Sequence, residues 1–160
     1  MTYTRTLVSH LYPPVLIDSG LPTALQLLTE QMEQRGLSVS LQLKSKIPAL
    51  PEDQAILIFQ SVRELLHNRL KHAHTQEATI SLEQVGSSLH VTISDQGRGF
   101  DASTVTSRKT TASGFGIYSI REQMFSMGGR FDIQSMTGKG TTSTLILPIT
   151  QATSLQESGQ

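Results

Sequence analysis

Four polar residues in one short stretch have the types and spacing to act on a shared ligand. Glu64, Asn68 and His72 fall at i, i+4 and i+8 within ELLHNRLKHA (Glu64 to Ala73), and Lys71 follows Asn68 by three. On a helix this spacing stacks side chains turn upon turn along one face. A carboxylate can orient or accept a proton, an amide oxygen can hold a hard cation, and an ammonium can neutralise an anion. The plainer reading is a mixed polar flank on an ordinary core helix. Against it, a solvated face usually mixes Glu, Lys, Gln and Arg without preference, and this stripe borders an apolar one.

That apolar stripe is Ala55, Ile58, Phe59, Val62, Leu65, Leu66 and Leu70, at the spacing of a helix that buries one face. Pro51-Glu52-Asp53 suits its first turn, with acids near the positive dipole end, and the helix is expected to run to about Ala73. His67 and Arg69 read as ordinary variations within it. Upstream, residues 1–12 form an amphipathic lead-in that Pro13-Pro14 stops. Ala24, Leu25, Leu28 and Met32 then mark a helix ended by Gly36. Leu37, Val39, Leu41 and Leu43 alternate with polar residues as a half-buried strand.

Downstream, residues 78–85 and 88–94 read as a hairpin about Gly86-Ser87, with Ile80 and Leu82 facing the same core as Leu89, Val91 and Ile93. Residues 101–113, DASTVTSRKTTAS, have the composition of a mobile loop. Ile117, Ile120, Met124 and Met127 mark another helix, closed by Gly128-Gly129. Strands around 130–136 and 141–149 follow, joined at Thr137-Gly138-Lys139-Gly140, and residues 151–160 read as a frayed tail. Helices falling between mainly antiparallel strands predict a two-layer α/β sandwich, with three helices on one face of a mixed sheet.

The length, 160 residues, suits one domain with a real core. Its 13 basic and 13 acidic residues cancel, so no global field favours nucleic acid or an anionic membrane. The absence of cysteine excludes disulfides, thiolate zinc sites and thiol nucleophiles, and fits a reducing compartment. No apolar run approaches the roughly 18 to 20 residues of a membrane span, and no leader pattern opens the chain. The expectation is a soluble, cytoplasmic domain.

Two glycine signatures follow the helix. Asp95-Gln-Gly97-Arg-Gly99-Phe100 comes directly after the alternating Leu89, Val91 and Ile93, and Gly114-Phe115-Gly116-Ile117 opens the later helix. Gly97 and Gly99 let backbone approach a flat ring; the plainer reading is a glycine-rich strand exit. Gly114 and Gly116 stand at a helix start, where free N–H groups favour phosphate oxygens. Asp95, at a strand end, could accept a hydrogen bond from a ligand; the plainer reading is a turn-forming Asp before Gly.

In this order the three stretches resemble the ATP-binding domain of the GHKL superfamily, which includes gyrase, the heat-shock chaperone ATPases and the sensor histidine kinases. The segment HLYPPVLIDSGLPTAL (His10 to Leu25) is similar to the junction between dimerisation helix and ATP-binding domain in sensor kinases whose response regulators carry helix-turn-helix output domains. A generic Pro-Pro linker is the plainer reading. The resemblance spans His10 to Pro148 and implies a Bergerat-type fold, with residues 1–19 as the end of a dimerisation helix and linker, 20–150 as the ATP-binding domain and 151–160 as a tail.

The resemblance also implies roles. ATP and Mg2+ would be the ligands, with Asn68 holding the metal, Lys71 contacting phosphate and His72 lining the nucleotide. Glu64 matches the acid that activates water in the ATPases, and in a kinase would orient or deprotonate the acceptor imidazole. Asp95, Gly97, Gly99 and Phe100 form the base side, Gly114, Phe115, Gly116 and Ile117 the phosphate side, and Thr141 lies near the adenine. Arg108 and Lys109 could reach the γ-phosphate. None of the five histidines, His10, His67, His72, His74 and His90, stands in the phosphoacceptor context. The chain therefore reads as a histidine-kinase catalytic domain that phosphorylates a histidine on a dimerisation helix of the same or a partner chain, feeding a response regulator. The alternatives are an anti-sigma-factor type serine kinase and a non-catalytic ATP-sensing module.

Overall fold

The computed structural model describes residues 12–73, 76–97 and 116–149. Its elements are helices α1 (Val15–Ser19) and α2 (Leu21–Gln34), strand β1 (Ser38–Leu43), helix α3 (Glu52–Asn68), strands β2 (Glu77–Val85) and β3 (Ser88–Asp95), helix α4 (Ile117–Ser126), and strands β4 (Arg130–Met136) and β5 (Gly140–Pro148). The lead-in, residues 98–115 and the tail lie outside the described residues.

The strands form one sheet in the order β1-β2-β3-β5-β4. β1 runs parallel to β2, and every other pairing is antiparallel. A parallel neighbour needs a long crossover, and α3 supplies it between β1 and β2. Alternation decides which face is covered. Ile80 and Leu82 of β2, Leu89, Val91 and Ile93 of β3, and Leu145 and Leu147 of β5 all join the core formed with the helices. The intervening residues of the central strands stay half-exposed. The two-layer α/β sandwich expected from the element order is the fold observed.

Three details differ from the sequence reading. A short helix, α1, starts directly after Pro14, because proline at a helix start forgoes only an N–H that has no helical partner there. Its Leu16 is buried in the core beside Leu21, Leu25 and Leu28, so packing begins ahead of residue 20. Leu43 is exposed, since β1 is an edge strand and its last residue runs past the helices. Finally, α-helical bonding stops at Asn68 and gives way to a π turn, Arg69–Ala73.

Helices α2 and α4 close with the same hydrogen-bond pair. Leu37 N–H donates to Met32 O (3.0 Å) and Gly36 N–H to Glu33 O (3.1 Å); Gly129 N–H donates to Met124 O (2.8 Å) and Gly128 N–H to Phe125 O (3.0 Å). This is a Schellman closure, which needs a left-handed residue first. Gly128 supplies it, with φ 79°. Gly129 is required for a different reason: a Cβ there would collide with the carbonyl oxygen of Ile146 on β5. The Gly128-Gly129 pair thus ends α4 and lets the chain pass tight against the sheet.

The end of α2 is tied to α3 by a polar contact. An Arg35 guanidinium N–H donates to His67 Nε2 at 2.9 Å. Because arginine has no acceptor, Nε2 must carry the lone pair and the ring proton sits on Nδ1. Burial, and then Arg35, Arg63 and Lys71 in turn, hold the His67 pKa below its ordinary value. The unfolded chain then binds a proton near the usual histidine value of about 6.5 while the folded chain resists it. Stability contributed here is complete above about pH 6.5 and is lost as pH falls from there through the lower folded pKa. Denaturant midpoints taken from about pH 8 to about pH 5 should fall for the native chain and fall less steeply for His67→Gln.

Candidate functional site

Strand parity carries a charge into the core. The inward positions of β3 are Leu89, Val91 and Ile93, and the next one is Asp95. Its cross-strand neighbours are Ala78 on β2 and Thr141 on β5, and Ile93 lies opposite Ser143. A carboxylate removed from water needs a counter-charge and hydrogen bonds. Arg69 provides the charge. Its Nε lies 2.8 Å from Asp95 Oδ2, with the two side chains 3% and 0% exposed.

The rest of the guanidinium is fully engaged. One terminal nitrogen donates to Leu65 O on α3 (3.2 Å), and the other to Ile93 O on β3 (3.1 Å) and Ser143 Oγ on β5 (3.3 Å). Burial pushes the Arg69 pKa down and Asp95 opposes that shift. The Nε–Oδ2 contact pairs the two charges directly. Asp95 Oδ1 accepts from Gly97 N–H at 2.8 Å. This turn is the local geometry expected of Asp two residues before Gly.

Arg69 is therefore no ordinary variation of the helix. The signal was available: period-2 alternation through Ile93 points Asp95 inward, and a buried carboxylate demands a cation. Which cation answers was not legible, because it depends on how α3 lies across β3 and β5.

The π turn changes the stripe from which the sequence reading began. Glu64 and Asn68 are half-buried on α3, and Lys71 is exposed on the turn. Bonding at i→i+5 widens the turn, so the α-helical phase linking Glu64, Asn68 and His72 ends at Asn68. Only the backbone of His72 is described. Widened turns of this kind are frequent at functional sites.

Beside Asp95, Gly140 opens β5 with φ 92°, a left-handed conformation, and a Cβ there would strike the Asp95 carbonyl oxygen. Glycine is thus doubly required at a position the sequence reading treated as part of a simple turn. Thr141 Oγ1 shares a 2.7 Å hydrogen bond with Ser135 Oγ, which also donates to Gly140 O at 3.2 Å. An open groove of about 350 Å³ runs along Gln76–Thr79 and Ser94–Gly97, and does not extend to Asn68 or Lys71. Gly116 is the residue before α4 and accepts from Ile120 N–H at 3.0 Å; Ile117 is buried in the core.

The fold thus brings Arg69, the residue after Asn68, onto Asp95, whose neighbour on β5 is Thr141. Gly99, Phe100, Gly114 and Phe115, with Arg108 and Lys109, lie outside the described residues. Among the described residues no cluster of three His, Cys, Asp or Glu forms a metal cage, and no helix is long and apolar enough to cross a membrane.

The chain has relatives among known proteins. The chain is 30% identical over 147 residues to the signal transduction histidine-protein kinase/phosphatase DegS of Brevibacillus brevis, covering 91% of this chain and 37% of that protein. It is 29% identical over 150 residues to an uncharacterized sensor-like histidine kinase of Chloroflexus aurantiacus, covering 91% of this chain and 25% of the relative. The chain thus spans well under half of either relative.

Among solved structures, the histidine kinase domain of the Erythrobacter litoralis EL346 blue-light activated histidine kinase superposes with a TM-score of 0.64 at 21% identity, covering 86% of this chain and 63% of that one. Full-length ShkA in complex with AMPPNP superposes with a TM-score of 0.66 at 15% identity, covering 79% and 28%. At such identities these two establish the fold. The model of the histidine kinase-, DNA gyrase B- and HSP90-like ATPase family matches residues 53–151, from the start of α3 past the end of β5, and the chain belongs to that family.

Proposed function

We propose that this chain binds Mg-ATP and acts as the catalytic domain of a sensor kinase, presenting the γ-phosphate to a histidine on a dimerisation domain. One observation carries the reading: Arg69, the residue next to Asn68, touches Asp95, so residues 26 positions apart meet at one end of the sheet. Similarity to sensor kinases over 91% of the chain supports the same direction.

The residues fit the ligand chemically. Magnesium takes one or two protein oxygens and fills its shell with phosphates and water, so a single amide at Asn68 meets its demand better than a carboxylate cage would. When bound, the ion would neutralise charge on the phosphates. Lys71, exposed on the π turn, would contact them as a point charge. His72 would line the nucleotide, and Gly114 and Gly116 would offer backbone N–H groups to phosphate at the start of α4.

Asp95 would accept from the adenine amino group, with Gly97 admitting the ring and Thr141 close by. Its side chain is closed from solvent in this structure. In transfer, the bond from γ-phosphorus to the ADP oxygen breaks and a bond to the acceptor imidazole forms, and Glu64 orients that ring or takes its proton. Most of the catalysis would be positioning and charge neutralisation. A response regulator would receive the phosphoryl group afterwards. A serine kinase would use the same pocket on a partner protein, and an ATP sensor would bind without transfer.

Three measurements test these assignments. Asn68→Ala should weaken ATP about tenfold or more in magnesium and less than about twofold in chelator, because the lost group touches metal rather than base; calorimetry in both buffers reads this. Incubated alone with γ-labelled ATP and magnesium, the chain should bind nucleotide without acquiring acid-labile phosphate, since none of its five histidines stands in an acceptor context. Asp95→Ala should weaken ATP roughly 10- to 150-fold while leaving weak GTP binding nearly unchanged. Melting temperature measured on the same samples separates loss of base reading from loss of fold.

A further inference from the structure

We propose that Arg69 is a positioning residue that makes Asp95 selective for adenine, by clamping the carboxylate and so fixing the direction of its remaining lone pairs. The inference rests on the assignment of base reading to Asp95 made above. It goes further in naming the group that gives that carboxylate its direction.

Geometry separates this from an incidental ion pair. The Arg69 guanidinium cannot swing, because it is held at Leu65 O on α3, Ile93 O on β3 and Ser143 Oγ on β5. Through these contacts it fixes the end of the helix that carries Asn68 against the strand that carries Asp95. The flanking side chains on the sheet, Ala78, Thr141 and Ser143, are uncharged. Arg69 is thus the cation that faces Asp95 among the described residues.

The state of the two carboxylate oxygens points to a ligand. Oδ1 is used by Gly97 N–H. Oδ2 is buried 2.8 Å from Arg69 Nε, which holds it in place. A carboxylate has about four acceptor sites, so these two contacts fix its direction and leave further lone pairs for a donor. An amino group entering here would meet a charged, pre-aimed acceptor, whereas a carbonyl would meet repulsion. Adenine presents the first and guanine the second. A flexible carboxylate without the clamp could turn away from guanine, and the penalty would shrink.

Lysine tests the clamp, since it keeps the charge but cannot reproduce a planar fork with donors on three elements. In Arg69→Lys, affinity for ADP should fall about tenfold and affinity for GDP should change by less than about twofold, with the fold retained. An unchanged ADP-to-GDP preference in a folded Arg69→Lys chain would overturn the proposal. If Arg69→Lys does not fold, the native chain decides. The Arg69 Nε–H, shielded from exchange, should shift its NMR resonance on adding ADP and not GDP; an equal response to both, or to neither, would overturn the proposal as well.

Asp95→Asn keeps the two levels apart. If a folded Asp95→Asn chain retains adenine preference, the base-reading assignment fails and takes this inference with it. If Asp95→Asn loses the preference while Arg69→Lys keeps it, only the role of Arg69 fails.

Discussion

A carboxylate inside a hydrophobic core must be answered, and much of this molecule is arranged around the answer. Asp95 continues the inward row of β3 beyond Ile93, where desolvation would be prohibitive without a partner. Arg69 meets it from the end of α3 and simultaneously bonds that helix to two central strands. Removing one member of such a pair leaves the other as an uncompensated buried charge, typically a loss of about 3–5 kcal/mol. A well-packed hydrophobic pair of similar volume is often no less stable in such a place.

The same pressure shapes the backbone around the pair. At Asn68 the helix leaves α-helical bonding for a π turn, so the residues after it follow a different phase. Across the sheet, Gly140 takes a left-handed conformation and presses against the Asp95 carbonyl where no side chain would fit. Ser135 and Thr141 satisfy each other next to it. Polar residues at this end of the sheet are thus held by one another. The other end of the same strands is filled by Leu82, Leu89, Leu145 and Leu147, which join the apolar core.

Family membership sets these details in context without supplying them. The matched region begins at the start of α3 and ends just past β5, which is the part of the chain containing the ion pair, the π turn and the tight glycine. The β1-α3-β2 crossover puts the end of α3 over the central strands, and the β5 insertion between β3 and β4 brings Thr141 and Ser143 beside β3. Both are consequences of chain path, and together they bring side chains from positions 69, 95, 141 and 143 into one cluster.

What the sequence determined by itself was everything written in local periodicity. The 3.6-residue spacing from Ala55 to Leu66 specified α3, and strict alternation specified β2, β3 and β5, because each pattern buries a continuous apolar surface only in one secondary structure. The Gly128-Gly129 pair marked the end of α4 for the same local reason. The inward parity of Asp95 was also implicit. Tertiary structure alone decided what is non-local or lacks a residue code. The i→i+5 bonding after Asn68 has no composition signature, since RLKHA could equally continue an α-helix. The insertion of β5 between β3 and β4 depends on sheet pairing across the whole domain. The partnership of Arg69 with Asp95 depends on both, because a long flexible cation on a helix is read as solvated until the strand beneath it presents a buried negative charge.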